Sequence, residues 1–365
     1  MADIAVNFFT TLGLFVLVFS LLAVVHEFGH FLPARYFGVK IDVFSIGMGK
    51  ELFGITDKKN TRWKFSLLPL GGYVQFSGDE NIASTKHSSS SDPHLLHNRP
   101  VLQRIIVTIG GPAANYLLAM VLFFFLYFFV GNFGISTKIA DFTENSPAQA
   151  AGLMVGDSIQ SVNGNKVSFF QEVVHKLQEA KSSEPLSISV YRNGQQIEFQ
   201  VALVEDSASN GRKLIGVKPS SELVFSTPYE FMPALYKAIT YPFEITWMTL
   251  YSLLNMAKTK DVSGLAGPIA IANVISEAAS HGIAIVLFYA ALISIGLGFF
   301  NLLPIPALDG GHLFFYLIEL IRGKPLNEKI QDIAIKIGIA ILVTVFVGVF
   351  YQDIMNLPIL KKILS

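Results

Sequence analysis

The chain contains no cysteine. Disulfides, thiolate metal ligands and cysteine nucleophiles are excluded, and the redox compartment is left open. Charge is scarce as well: Asp, Glu, Lys and Arg make up 15% of 365 residues, against about 25% in ordinary soluble chains. The 27 acidic and 27 basic residues cancel, so bulk charge gives no case for a nucleic-acid partner. What replaces charge is apolar bulk, with 52% hydrophobic residues, 31 phenylalanines and a mean hydropathy of +0.50. That balance describes a membrane protein carrying a modest soluble module.

A helix needs about 20 apolar residues to cross a hydrocarbon core of about 30 Å. Four segments qualify: Phe8 to Val25, Ile105 to Val130, Ile283 to Leu303 and Ile333 to Phe350, where Lys336 sits near an end and can snorkel. The first has neither a preceding Lys or Arg nor a small-residue cleavage site after it, and reads as a retained helix, not a secretory signal. The connection from 31 to 104 is rich in bases, including Arg35, Lys40, Lys58 and Lys59, whereas the first ten residues carry none. The positive-inside rule then places that connection in the cytoplasm and both termini, with residues 131–282, outside. Lys361 and Lys362 in the tail pull mildly the other way. Ala238 to Ala257 is a fifth apolar stretch, but Pro242 and Glu244 suit an amphipathic or interface-lying helix better than a lipid-facing span.

Between the second and third spans, residues 136–220 have ordinary globular composition. SPAQAAGLMVGDSIQSVNGNKV (146–167) predicts a short helix, a turn at Gly156-Asp157, a strand Ser158 to Val162 and a hairpin turn at Asn163-Gly164. Phe169 to Ala180 reads as a helix, and residues 186–204 as a second hairpin across Asn193-Gly194. SPAQAAGL followed by GDSIQSVNG resembles a bacterial PDZ domain. That resemblance implies a turn shaped by Gly152, Leu153, Gly156 and Asp157 and a groove where a peptide adds as a strand. Each glycine equally serves local turn geometry.

The chemistry concentrates in VVHEFGHF (24–31). His26 and His30 are one turn apart on one helical face, so both imidazoles can reach one cation, with Glu27 beside them as a base for water. Ionisable groups at membrane depth are costly, and three at this spacing point to a metal, with a polar helix end meeting the interface as the bland alternative. Zinc suits two imidazoles, a carboxylate and an open position, and polarises a scissile carbonyl. The third ligand must come from a distant segment at the same depth. NLLPIPALDGGH (301–312) follows the third span, and Pro304 and Pro306 break its helix there, which is tolerated only against protein or a water cavity. Asp309 is the expected ligand, His312 its rival, and a helix-capping Asp309 the plainer reading. With four spans, the first and third helices run in the same direction and deliver both segments to one side; a fifth would put Asp309 about 30 Å away.

HEFGH ending a first span, GGPAAN (110–115) opening the second, one PDZ-like insert, and NLLPIPALDGG after the third together resemble the site-2 protease family of intramembrane zinc metalloproteases, and within it the bacterial regulator-of-sigma-E protease branch. The resemblance implies zinc on His26, His30 and Asp309, water activation by Glu27, and single-span membrane proteins as substrates, such as anti-sigma factors or signal-peptide remnants. It also implies a multi-pass protein of the bacterial inner membrane with its active site near the cytoplasmic face. Asn115 and Asn301 match family positions and would either bond substrate or the developing oxyanion, or act as helix-helix glue. WKFSLLPLGGYVQFSG (63–78) has strand-like alternation at Trp63, Phe65 and Leu67, then a turn at Pro69 and Gly71-Gly72. It corresponds to the family's membrane-dipping hairpin, whose exposed edge would let substrate pair as a strand, with Gly71 and Gly72 as substrate-positioning residues; an ordinary cytoplasmic hairpin is the alternative. Better-known members carry two PDZ domains, and this chain has room for one.

The expected architecture is a polytopic α-helical membrane protein with four transmembrane helices and a small, mainly β PDZ-like insert. Its parts would be 1–130 with the first two spans and the hairpin, 136–220 the insert, 221–282 amphipathic linker helices, and 283–365 the last two spans. A metal-binding transporter and a non-proteolytic PDZ adaptor are the rival functions. Partners would be the bilayer, a substrate and a peptide ligand of the insert. His87, His94 and His97 in a serine-rich stretch read as exposed linker residues or a weak second metal patch.

Overall fold

The computed structural model describes residues 2–78, 91–180, 184–206, 212–259 and 265–356. His87 and the pair Lys361 and Lys362 lie outside the described residues. Two compact units form, one from Met1–Phe125 with Met232–Ser365 and the other from Leu126–Phe231.

The chain opens with α1 (Ala2–Tyr36), followed by the strands β1 (Ile41–Thr56) and β2 (Arg62–Phe76), then α2 (Val101–Phe129). The hairpin is more than two strands side by side. Phe44 faces Trp63 on one flank and Val74 on the other, and Ile46 faces Phe65 and Gly72, so residues 43–46 are central and 72–76 form an edge. The switch between flanks uses Gly71 at φ +80 and Gly72, where a Cβ would lie 2.6 Å from the Ser45 carbonyl oxygen. Phe31, Ala34, Phe44 and Val107 bury the base of the hairpin against α1 and α2. Its far part exposes Leu52, Phe53, Leu67 and Leu68, an apolar surface suited to lipid.

The Leu126–Phe231 unit is small and mainly β. It contains β3 (Phe133–Ile135), β4 (Ile139–Phe142), α3 (Pro147–Ala150), β5 (Ser158–Val162), β6 (Asn165–Lys166) and α4 (Phe170–Glu179), then β7 (Leu186–Arg192), β8 (Gln195–Val201), β9 (Val204–Asp206), β10 (Arg212–Leu214), β11 (Val217–Pro219) and β12 (Leu223–Phe225). A four-stranded sheet of order β6-β5-β7-β8 is accompanied by the pairs β4–β11, β3–β12 and β9–β10. Ile159, Ile188 and Val190 alternate inward from the sheet and pack on Val173 and Leu177 of α4. Asp157 is 1% exposed and takes two 2.6 Å bonds from Arg192, whose guanidinium also donates to the Gly152 carbonyl. Thus the turn that carries Gly152 and Gly156 is pinned by a buried ion pair.

The chain then returns through α5 (Phe231–Thr259), α6 (Pro268–Ser280), α7 (Ile283–Leu302), α8 (Asp309–Arg322) and α9 (Glu328–Met355). Helices long and apolar enough to cross a bilayer are Thr10–Tyr36, Val101–Phe129, Ile283–Leu302 and Glu328–Met355. These are the four segments expected, and the protein is a multi-pass membrane protein. The fifth apolar stretch lies inside α5, which runs unbroken through a buried Pro242 and lies along α2, with Tyr116 stacked on Phe243 and bonded to Thr246. Asp353 of α9 accepts from the Gly267, Ile269 and Ala270 backbone and so caps α6. Arg104 of α2 makes a bidentate pair with Glu319 of α8 at 3.0 and 2.5 Å.

Burial alone would raise the Asp157 carboxyl, but Arg192 and the Met154 N–H hold it below its ordinary value. A depressed folded-state value means the pair's stabilisation is complete above about pH 4, the unfolded value, and is lost as pH falls through the folded one. Asp157→Asn should destabilise this unit by about 3 kcal/mol. Hydrogen exchange of its sheet amides in the full chain will show this as faster exchange at neutral pH, with a smaller gap from wild type below pH 3.

Candidate metal centre

Three elements converge. α1 projects His26 and His30 from successive turns, and Asp309 opens α8 after the break that follows α7. The two Nε2 atoms are 3.2 Å apart, and Asp309 Oδ2 lies 3.1 Å from His26 Nε2 and 3.4 Å from His30 Nε2. Among the described residues these form a His/Asp group with atoms placed to share one ion.

This triangle can be tested against zinc. A tetrahedral ion bound at about 2.0 to 2.1 Å separates its ligand atoms by about 3.3 to 3.4 Å, close to the three distances found. Asp309 Oδ2 is also buried without a well-formed hydrogen bond, which leaves its lone pair for a cation. Two nitrogens and one oxygen are a donor set that zinc accepts. The residues fit.

Why the segments meet follows from small residues. A Cβ at Gly29 would fall on the Gly110 carbonyl oxygen, and one at Gly111 would fall against His30 Nε2 and 2.9 Å from His26 Cε1. Two glycine surfaces thus allow α1 and α2 to touch backbone to backbone at the depth of the histidines. His30 Nδ1 bonds the Val107 carbonyl of α2 at 2.9 Å, and the Asn115 amide lies 3.3 Å from His26 Nδ1.

Asp309 is placed by a fold-back. Residues 303–308 leave the helix through Pro304 and Pro306, and Ala307 adopts φ +102, a strained value for a residue with a side chain. A Cβ at Gly310 would strike the Leu302 and Leu303 carbonyl oxygens, one at Gly311 would lie 2.6 Å from the Ile305 oxygen, and one at Gly338 of α9 would strike Pro306. These contacts explain the glycine pair after Asp309. Its carboxylate sits in the first turn of α8, where the helix dipole favours negative charge.

Glu27 turns to the hairpin, where its Oε2 accepts the Val74 N–H at 3.0 Å. Val74 is on the edge strand, so the carboxylate is held between that strand and the centre. Both border a cavity of about 1480 Å3 lined also by Gly72, Asn301, Asp309 and His312. Asn301 spends its Nδ2 on the Leu297 carbonyl of its own helix. Asn115 is fully buried and does not line the cavity. His97 lines the cavity, unlike a solvent-facing linker, while His94 is exposed and sits 3.0 Å from the Gly38 carbonyl oxygen.

Some contributors left no trace in residue type. The Val107 carbonyl and Val74 N–H are backbone groups, invisible to any motif. The glycines of GGPAAN did carry a signal, because paired glycines within a membrane helix mark a close approach.

Two histidines and an aspartate converging beside a glutamate, among helices of membrane length, define a membrane-embedded metal-dependent hydrolase. The match to known proteins is more particular. Residues 14–345 match the description of peptidase family M50. A "Putative zinc metalloprotease" of Agrobacterium fabrum is 34% identical over 94% of this chain and 95% of its own length. Relatives given the same description in Rickettsia conorii and Campylobacter jejuni are 35% and 33% identical, over 94% and 93% of this chain and 98% and 92% of theirs. A solved PDZ domain of an SdrC-like protein from Listeria monocytogenes covers 24% of this chain and 86% of its own at 22% identity and TM-score 0.21, which adds nothing to the strand order above. The chain belongs to peptidase family M50, the site-2 protease family, and is a zinc metalloprotease.

Gly111→Ala should reach the membrane folded yet retain little metal, because its methyl would occupy the space of His30 Nε2. Zinc content of the purified variant beside Gly13→Ala, where a Cβ meets nothing within 4 Å, will check this; equal zinc in both would contradict the packing argument.

Proposed function

We propose that the protein hydrolyses peptide bonds within or near the transmembrane segment of single-span membrane proteins, with anti-sigma factors and signal-peptide remnants as the substrate types that the family resemblance supplies. In this reading His26, His30 and Asp309 hold zinc, and Glu27 takes the proton from the attacking water. The observation that carries it is the position of Glu27, fixed by the Val74 N–H beside the histidine-aspartate triangle and inside the cavity. Zinc, when bound, supplies a Lewis acid that polarises the scissile carbonyl and acidifies water.

The chain's own residues do the rest. A transmembrane helix shields its carbonyls in internal hydrogen bonds, so cleavage requires an unwound segment. The edge strand 72–76 carries Val74, whose N–H already serves Glu27, and a substrate strand added along its remaining outer groups would lie on the cavity wall beside that carboxylate. Gly71 and Gly72 bring this edge close to the centre, and Asn301, with one N–H committed to Leu297, keeps another donor for an oxygen in the cavity. After attack, Glu27 is placed to pass its proton to the departing amine.

The basic connection 31–104 supports an inner-membrane orientation with the centre toward the cytoplasm and both termini and the insert outside. The division carried into this reading is two spans and hairpin in 1–130, an insert at 136–220, linker helices in 221–282 and the last spans in 283–365, while the compact unit around the insert runs Leu126–Phe231 and takes in β12. The insert's PDZ resemblance supports capture of a peptide segment of a substrate or partner.

Glu27→Gln should keep zinc and lose cleavage of a single-span model substrate by at least about 100-fold, since general-base catalysis contributes about 10²–10⁴. His26→Ala and Asp309→Ala should lose both. Zinc analysis and a detergent cleavage assay on the same preparations check this, and near-normal cleavage by the glutamine variant would remove Glu27 from the mechanism.

A further inference from the structure

One stripe of α2 faces both histidines. Val107, Gly111 and Asn115 are spaced four apart, so they lie on one face of the helix over about 12 Å. Val107 meets His30, Gly111 admits both rings, and Asn115 meets His26. We infer that this stripe is the orienting shell of the metal centre, and that Asn115 is a positioning residue that accepts a hydrogen bond from His26 Nδ1 through its side-chain oxygen. The inference rests on the zinc reading proposed above and assigns Asn115 to the ligand, not to the substrate.

Three observations carry it. First, both Nε2 atoms point to Asp309, so a neutral imidazole holding a cation there must keep its proton on Nδ1 and donate it. His30 does so to the Val107 carbonyl, which can only accept. Second, the Asn115 amide nitrogen lies 3.3 Å from His26 Nδ1, which would set donor against donor, while Asn115 Oδ1 is buried without a partner. Exchanging the two ends of the amide, which are nearly identical in shape, resolves the clash and gives the orphaned oxygen its donor. Third, Asn115 has no exposed surface and is not part of the cavity wall, so a peptide in the cavity has no route to its side chain. The Ser294 hydroxyl of α7 donates to the Asn115 carbonyl at 2.9 Å and fixes this part of α2 from behind.

Groups that orient a ligating histidine typically change metal affinity by about 10- to 100-fold when removed. The test is a zinc titration of the full-length protein in detergent against a competing chelator. It uses wild type, Asn115→Leu, Asn115→Asp and, for the cavity wall, Asn301→Leu. We expect Asn115→Leu to bind zinc about 10- to 100-fold more weakly, with an altered visible spectrum after cobalt substitution. Asn115→Asp keeps an acceptor toward Nδ1 and should stay within about threefold of wild type or bind more tightly. Asn301→Leu should leave affinity unchanged. Wild-type affinity in Asn115→Leu with lost cleavage would overturn the inference in favour of a substrate role. If the leucine variant does not fold, a tenfold loss in Asn115→Asp overturns it equally. Failure of wild type to bind zinc would instead remove the underlying reading, and the inference with it.

Discussion

Backbone contact between α1 and α2 is the constraint on which the rest depends. Gly29, Gly110 and Gly111 remove the side chains that would hold the helices at ordinary spacing. Only at that distance can the Val107 carbonyl reach His30 and the Asn115 amide reach His26. A hydrophobic driving force between helices is missing in lipid, and close packing with interhelical hydrogen bonds replaces it. The same contacts therefore serve association of the spans and aim of the rings.

Asp309 is held by a second set of contacts of the same kind. Gly310, Gly311 and Gly338 receive the carbonyls of the 302–306 segment, and the bidentate Arg104–Glu319 pair ties α8 to α2 farther along. Leaving one member of that buried pair alone would be costly, so it fixes the helix even though its net contribution to stability is small. The aspartate thus sits between a tight loop and an anchored helix.

Much of this was legible in the sequence, for identifiable reasons. The spacing of His26 and His30 is fixed by helical period, the spans by apolar length, and Asp309 by the depth that the prolines of NLLPIPALDGG imply. The turns at Asn163-Gly164 and Asn193-Gly194 follow from residues that tolerate positive φ. What stayed hidden depends on tertiary register. Nothing in WKFSLLPLGGYVQF says that residues 43–46 are flanked on both sides, because pairing partners are set across the hairpin and not within a strand. The service of Asn115 to His26 was equally out of reach, since an asparagine in a membrane helix looks the same as glue, donor or ligand support.

The positions of the three metal-facing residues along the chain also order its biosynthesis. His26 and His30 lie on α1, ahead of the insert and the third span, and Asp309 follows both. Until α8 is made, the two imidazoles lack the Asp309 carboxylate that completes their triangle, and the Glu27 carboxylate beside them is turned to Val74. The triangle is therefore a late product of the chain, complete only once the segment after α7 has folded back.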